Sequence, residues 1–325
     1  MAPKQVTPQD RISDISRSRC GRLKISEGTM RIAITGSTGY LGTALSQALP
    51  RDGHEIIPVV RGNSQDPDSV WNPWLGWIRP GALNDVDAVI HLAGENIGKR
   101  WTAQRRQELM TSRREATKLL VNHLQGLDSP PKIFISASAV GIYGDRGEEL
   151  LSEDSELGES PLADICTAWE SAADEASSSM RVVKLRLSPI FGEGAEVLDR
   201  LSLPIKLFAG GPVGNGRQWM PWIHVSDVVK IISMAMSDEN YSGVYNLVAP
   251  DAVRNKDLVK TIGKILGRPT LFPPTPKLPL RIALGEMVDW LIFASQRVQP
   301  MRLEQMGYEW EQPLLEGALR ESFGK

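Results

Sequence analysis

Glycines 36, 39 and 42, in Thr35-Gly36-Ser37-Thr38-Gly39-Tyr40-Leu41-Gly42, stand between a short apolar run and a helical stretch. This spacing suits phosphate binding. The first glycine permits a tight turn, the second lets a pyrophosphate come against the backbone, and the third lets the helix pack closely on the strand. The helix N-terminus behind the turn adds N–H groups without internal partners and a partial positive charge. Ser37, Thr38, Tyr40 and Leu41 would line the turn with the glycines. Farther on, Val59-Val60-Arg61-Gly62 has no acid where ribose hydroxyls would be bound, the nearest being Asp66. Arg61 can instead pair with a 2′-phosphate through charge-assisted hydrogen bonds. The expectation is a dinucleotide site for NADP rather than NAD, with Val60 and Arg61 at its adenosine end.

The elements that must position these residues follow from hydrophobic patterning. Arg31–Thr35, Glu55–Val60, Ala88–Leu92, Lys132–Ser136 and Arg181–Leu187 read as strands, and Leu41–Leu49, Gln104–Leu124 and Ala163–Ala176 as helices between them. Strands separated by helices pair in parallel through right-handed crossovers. The predicted fold is therefore α/β, a doubly wound parallel sheet of the Rossmann type, over residues 30–190. Beyond Pro189 the alternation breaks into Gly/Pro-rich loops, so residues 191–325 read as a smaller lobe covering the substrate. Ser226 and Asp227 are expected to cap a helix, with His224 at the edge of the core.

Of 325 residues, 41% are hydrophobic and 23% charged, and the net charge is -2. A near-neutral chain without a long Lys/Arg run has no electrostatic footprint for nucleic acid. No uncharged apolar run nears the roughly 18 to 20 residues that cross a bilayer. Two cysteines, Cys20 and Cys166, and four histidines without an HExxH spacing suggest neither a disulfide framework nor a metal site. Residues 1–29 read as a polar, disordered tail. A cytoplasmic monomer or homodimer is expected, with a plastid or other organelle as the alternative should that tail be a transit peptide.

Several motifs together resemble the extended short-chain dehydrogenase/reductase superfamily, in its atypical epimerase-family branch, which carries a C-terminal domain of unknown function. They are TGSTGYLG (35–42), HLAGENI (91–97), SASAVGIYG (136–144), GGPVGNGRQWMPWIHVSDVV (210–229), YNLVAPDAVRN (245–255) and LGEMVDWLIFASQRVQP (284–300). The resemblance implies a C-terminal module at about 272–320. It also implies cofactor contacts from Leu92, Ala93, Gly94, Glu108, Arg113 and Ile190, and a substrate anion held by Arg217.

Members of this superfamily use a Ser with a Tyr and, four residues later, a Lys. Ser138 fits the first role. The five tyrosines, Tyr40, Tyr143, Tyr241, Tyr245 and Tyr308, are followed at that distance by Ala44, Gly147, Tyr245, Ala249 and Gln312. In Ser160-Pro161-Leu162-Ala163-Asp164-Ile165-Cys166-Thr167-Ala168-Trp169-Glu170, Leu162 stands at the Tyr position and Cys166 at the Lys position. Tyr143, five residues after Ser138, is the candidate replacement proton donor. A packing role on the pocket wall is its alternative. Two functions follow as expectations. One is an NADP-dependent oxidoreductase or epimerase acting on a small molecule of the sugar-nucleotide kind. The other is a catalytically inert NADP-binding regulator or scaffold linked to cell division.

Overall fold

The computed structural model describes residues 28–325 and contains one six-stranded sheet. Its strands are β1 (Arg31–Thr35), β2 (Glu55–Val59), β3 (Ala88–His91), β4 (Ile133–Ala139), β5 (Arg181–Leu187) and β6 (Gly243–Leu247). They run parallel in the order β6-β5-β4-β3-β1-β2. The order reverses between β1 and β3, the switch point outside whose carboxyl ends a ligand cleft forms in such sheets.

Period-two side-chain alternation explains why both faces are apolar. Ile32 and Ile34 of β1 face a core shared with α1 (Tyr40–Ala48) and α5 (Val225–Ser237). Ala33 faces the opposite core, shared with α2 (Ala103–Gln125) and α3 (Pro161–Asp174). At the β2 edge, Arg61 bridges Trp71, and a hairpin of Trp71–Asn72 with Trp77–Ile78 follows. Its hydrogen bonds engage the Val60 carbonyl and the Gly62 N–H, just past the end of β2.

The expected boundary at residue 190 does not coincide with the sheet. Gly243–Leu247 comes from well beyond it and pairs with β5 residue by residue from Val183 to Leu187. Regular structure also continues past Pro189, in α4 (Glu196–Lys206), α5, α6 (Asn255–Leu266) and α7 (Lys277–Leu284). The expected N-terminal tail lies, up to residue 27, outside the described residues.

The cap of α5 also differs from expectation. His224 is the N-cap and accepts from the Ser226 N–H, while Asp227 turns inward. The fully buried Asp227 carboxylate accepts from the Tyr308 hydroxyl at 2.9 Å and from the backbone N–H groups of Glu311 and Gln312. A carboxylate with three donors is stable in the interior where a lone one would not be. It ties the C-terminal segment to the sheet-covering helix.

Candidate active site and cofactor cleft

The turn after β1 is tight because three glycines make it so. Gly36 has φ +70, a left-handed conformation that favours glycine. A Cβ on Gly42 would lie 2.2 Å from the Gly36 carbonyl oxygen, so α1 can approach the turn only without a side chain there. α1 opens at Tyr40 behind Gly39, with no side-chain cap and no acid in its first turn. Its leading N–H groups are therefore left for an anion, and the residues present fit a dinucleotide pyrophosphate. Tyr40 reaches across toward Gly192, and burial, with the Glu193 charge, pushes its hydroxyl pKa well up.

Thr35, at the end of β1, fixes the neighbouring strand end. Its hydroxyl accepts from the N–H groups of Leu92 and Ala93, both at 3.1 Å, and meets His91 Nδ1 at 2.8 Å. The other ring nitrogen of His91 meets Thr117 Oγ1, which itself donates to the Arg113 carbonyl. This assigns the imidazole proton to Nε2. Burial drives the His91 pKa down to about 3, so the ring is a neutral strut.

Arg113 is buried beneath this strand end. Its guanidinium lies 5.0 Å from the Trp169 ring centre and donates to the Glu95 and Leu109 carbonyls. A Cβ on Gly94 would come within 3.2 Å of it, which explains the glycine. Arg113 thus supports the Leu92–Gly94 backbone from below. Glu108, on the same helix, is bound to Arg105 at 2.8 Å and to Gln104. Arg61 projects from the end of β2 and meets Glu95 Oε1 at 3.1 Å. Val60 is tied through its carbonyl to Val70 and Trp71. Ile190 is half-buried and pairs with Ile223.

Ser138 and Tyr143 belong to one buried network. Glu170 Oε1 accepts from the Ser138 hydroxyl at 2.7 Å and from Arg186 Nε at 2.8 Å, and Glu170 Oε2 accepts from Arg186 Nη2 at 3.0 Å. Arg186 Nη1 donates to the Tyr143 hydroxyl at 2.8 Å, and that hydroxyl donates to Asn246 Oδ1 at 2.7 Å. Tyr143 is 0% exposed and Ser138 2%. Neither hydroxyl is presented to the cleft, so the structure does not bring Tyr143 into the vacant proton-donor position. Burial also pushes its pKa up, against the pull of Arg186. Glu170 and Arg186, which organise the network, were not legible as a pair. The only signal was a Glu at the end of the Ser160–Glu170 segment.

The Tyr and Lys positions are filled by apolar packing. Leu162 and Cys166 lie in a cluster with Trp101, Leu109, Val140, Met287 and Val298, against which Leu284, Trp290 and Leu291 also pack. Leu162 leans on Gly141, where a Cβ would be 2.5 Å from it. Burial pushes the Cys166 thiol up to about 12, despite the nearby Arg113 charge, so it is no thiolate near neutrality. Asp164 is exposed.

Arg217 sits apart from the cofactor residues, on a groove of about 490 Å³ whose wall includes Asp145, Glu148, Asn215, Phe293 and Ser295. Its side chain is exposed and forms no ion pair among the described residues, whereas its carbonyl accepts from Arg254. Glu148 is engaged by Arg254 and Trp219, whose hydrogen bonds hold its pKa down to about 2.

Comparison with known proteins adds a family context. The model of the NAD dependent epimerase/dehydratase family matches residues 32–247, and a domain of unknown function (DUF1731) matches residues 275–322. The chloroplastic epimerase family protein SDR39U1 homolog of Arabidopsis thaliana is 32% identical over 305 residues, covering 90% of this chain and 87% of that protein. Epimerase family protein YfhF of Bacillus subtilis is 36% identical over 297 residues, with 89% and 97% covered. The crystal structure of human epimerase family protein SDR39U1 (isoform 2) with NADPH superposes with a TM-score of 0.82 at 33% identity, over 91% of this chain and 100% of that one.

Proposed function

Because the chain belongs to the NAD dependent epimerase/dehydratase family, we propose that it binds NADPH in the cleft above β1 and β3 and acts as an oxidoreductase or epimerase on a small molecule of the sugar-nucleotide kind. The observation that carries this reading is the Gly36–Gly42 turn, where only a missing Cβ at Gly42 lets an uncapped helix N-terminus meet the turn. The human relative crystallised with NADPH supports the choice of nucleotide. Arg61 supports it independently, as an exposed guanidinium at the ribose end.

When bound, NADPH supplies a hydride. The chain's own residues supply the setting. Thr35 and Arg113 hold the Leu92–Gly94 backbone in place, and Leu162, Cys166 and Trp101 give a dry wall with no proton to exchange near neutral pH. A proton for a substrate oxygen therefore comes from water or from the substrate itself. Arg217, exposed on its groove and in no ion pair among the described residues, is available to meet an anionic group.

Calorimetric titration with NADPH and NADH tests the cofactor, with Arg61→Ala expected to erase the difference between them. Turnover is tested by following deuteride from 4-deuterated NADPH into a metabolite pool. Absence of transfer into every pool would leave only the binding role.

A further inference from the structure

The adenosine end of the cleft poses a problem of charge. Strands β2 and β3 flank β1, and Arg61, just past the end of one, meets Glu95, just past the end of the other. Glu95 Oε1 is 3.1 Å from Arg61 Nη1, the group that would meet a 2′-phosphate. A carboxylate in such a place ordinarily accepts a ribose 2′-hydroxyl and repels the phosphate. A site with an acid beside its selecting arginine should prefer the unphosphorylated nucleotide.

The resolution lies one helix away. Arg105, in the first turns of α2, is only 12% exposed at its side chain. Its Nη1 holds Glu95 Oε2 at 3.2 Å and Glu108 Oε2 at 2.8 Å, and its Nη2 donates to the Asn96 carbonyl at 2.6 Å. Ser112 Oγ accepts from the Glu95 N–H, and Arg113 donates to the Glu95 carbonyl. The Glu95 backbone is thus pinned, while one carboxylate oxygen is held by Arg105 and the other by Arg61.

We propose that Arg105 is a positioning residue for cofactor selection: it neutralises Glu95 and keeps it turned, so that Arg61 can leave Glu95 for a 2′-phosphate without exposing an unpaired negative charge beside it. When Arg61 turns to the phosphate, Glu95 retains Arg105. Without Arg105, Glu95 becomes the acid that accepts a 2′-hydroxyl, and the preference shifts toward NAD. Arg61 is 57% exposed and free to make this exchange, whereas Arg105 is enclosed and is not. This rests on the NADPH reading above.

The test uses the full chain and two fragments that share the adenosine and its 5′-phosphate and differ only in the 2′-phosphate: 2′,5′-ADP and 5′-AMP. Titration calorimetry should show wild type preferring 2′,5′-ADP. Arg105→Met should raise its Kd about tenfold while leaving that of 5′-AMP within about threefold. Arg105→Lys, which keeps the charge, should restore most of the preference. In the Glu95→Gln background, Arg105→Met should change neither affinity by more than about twofold, because the charge it neutralises has gone. Equal weakening of both nucleotides by Arg105→Met would make Arg105 merely structural and overturn the proposal. A full loss persisting in the Glu95→Gln background would make it a direct phosphate ligand and overturn the proposal equally. A wild-type protein that binds both fragments alike would instead remove the NADPH reading itself, and the proposal with it.

Discussion

Glu170 and Arg186 show what single residues contribute here. Both are nearly closed to solvent and satisfied by each other, with Ser138 and Tyr143 completing the set. Removing one partner strands the other charge in the interior, so Glu170→Ala should destabilise the protein by about 3–5 kcal/mol in urea unfolding. Arg186→Met with Glu170→Met should cost much less. His91 gives the pH dependence. Burial lowers its pKa from 6.5 to about 3, so between those values the unfolded chain takes a proton that the folded chain refuses. Stability should fall as pH drops below about 6.5, by about 1.4 kcal/mol per pH unit from this residue, and His91→Gln should remove that share while leaving the part due to His224, whose pKa burial lowers to about 4. The sequence made Ser138 and Tyr143 visible as chemistry-bearing residues but not their partners. Glu170 and Arg186 are 16 positions apart, and Tyr143 and Asn246 103 apart, and only the sheet brings them together. The same holds for Glu95 between Arg61 and Arg105.

At the scale of elements, the phosphate turn was readable because its meaning is local: strand, three spaced glycines, helix. Gly42→Ala should place a methyl group against the Gly36 carbonyl and force α1 off the turn. The expected outcome is a stability loss of about 1–3 kcal/mol in thermal or urea unfolding and a drop in NADPH affinity of more than about tenfold. The first five strands were legible from their apolar runs and β-branched residues, with ends off by a few residues. β6 was not. Gly243–Leu247 is a short run after a helix, and its pairing with β5 is non-local, which no window of sequence displays. His224 likewise displaced Ser226 and Asp227 as the cap, because Asp227 was drawn inward by donors more than eighty residues away.

For the whole molecule, the matched C-terminal module does more than follow the nucleotide-binding half. Leu284, Met287, Trp290 and Leu291 pack over Leu162 and Cys166, the positions where the sequence resemblance would place a proton relay, and the Trp101 N–H reaches the Leu284 carbonyl. Deleting residues 275–325 should uncover Trp101, Leu162 and Cys166. The truncated chain should then bind a hydrophobic dye strongly and melt at a lower temperature than the full chain. Asp227→Ala should loosen the same module from its other end, seen as faster amide exchange over residues 308–312. The chain passes residue 190 and returns to its own sheet at Gly243–Leu247. One titration, NADPH against NADH on the full chain by calorimetry, is the decisive measurement. Binding of NADPH is expected to be at least about tenfold tighter than that of NADH, lost in Gly42→Ala and levelled in Arg61→Ala. Equal affinity for the two, or no heat of binding with either, would contradict it.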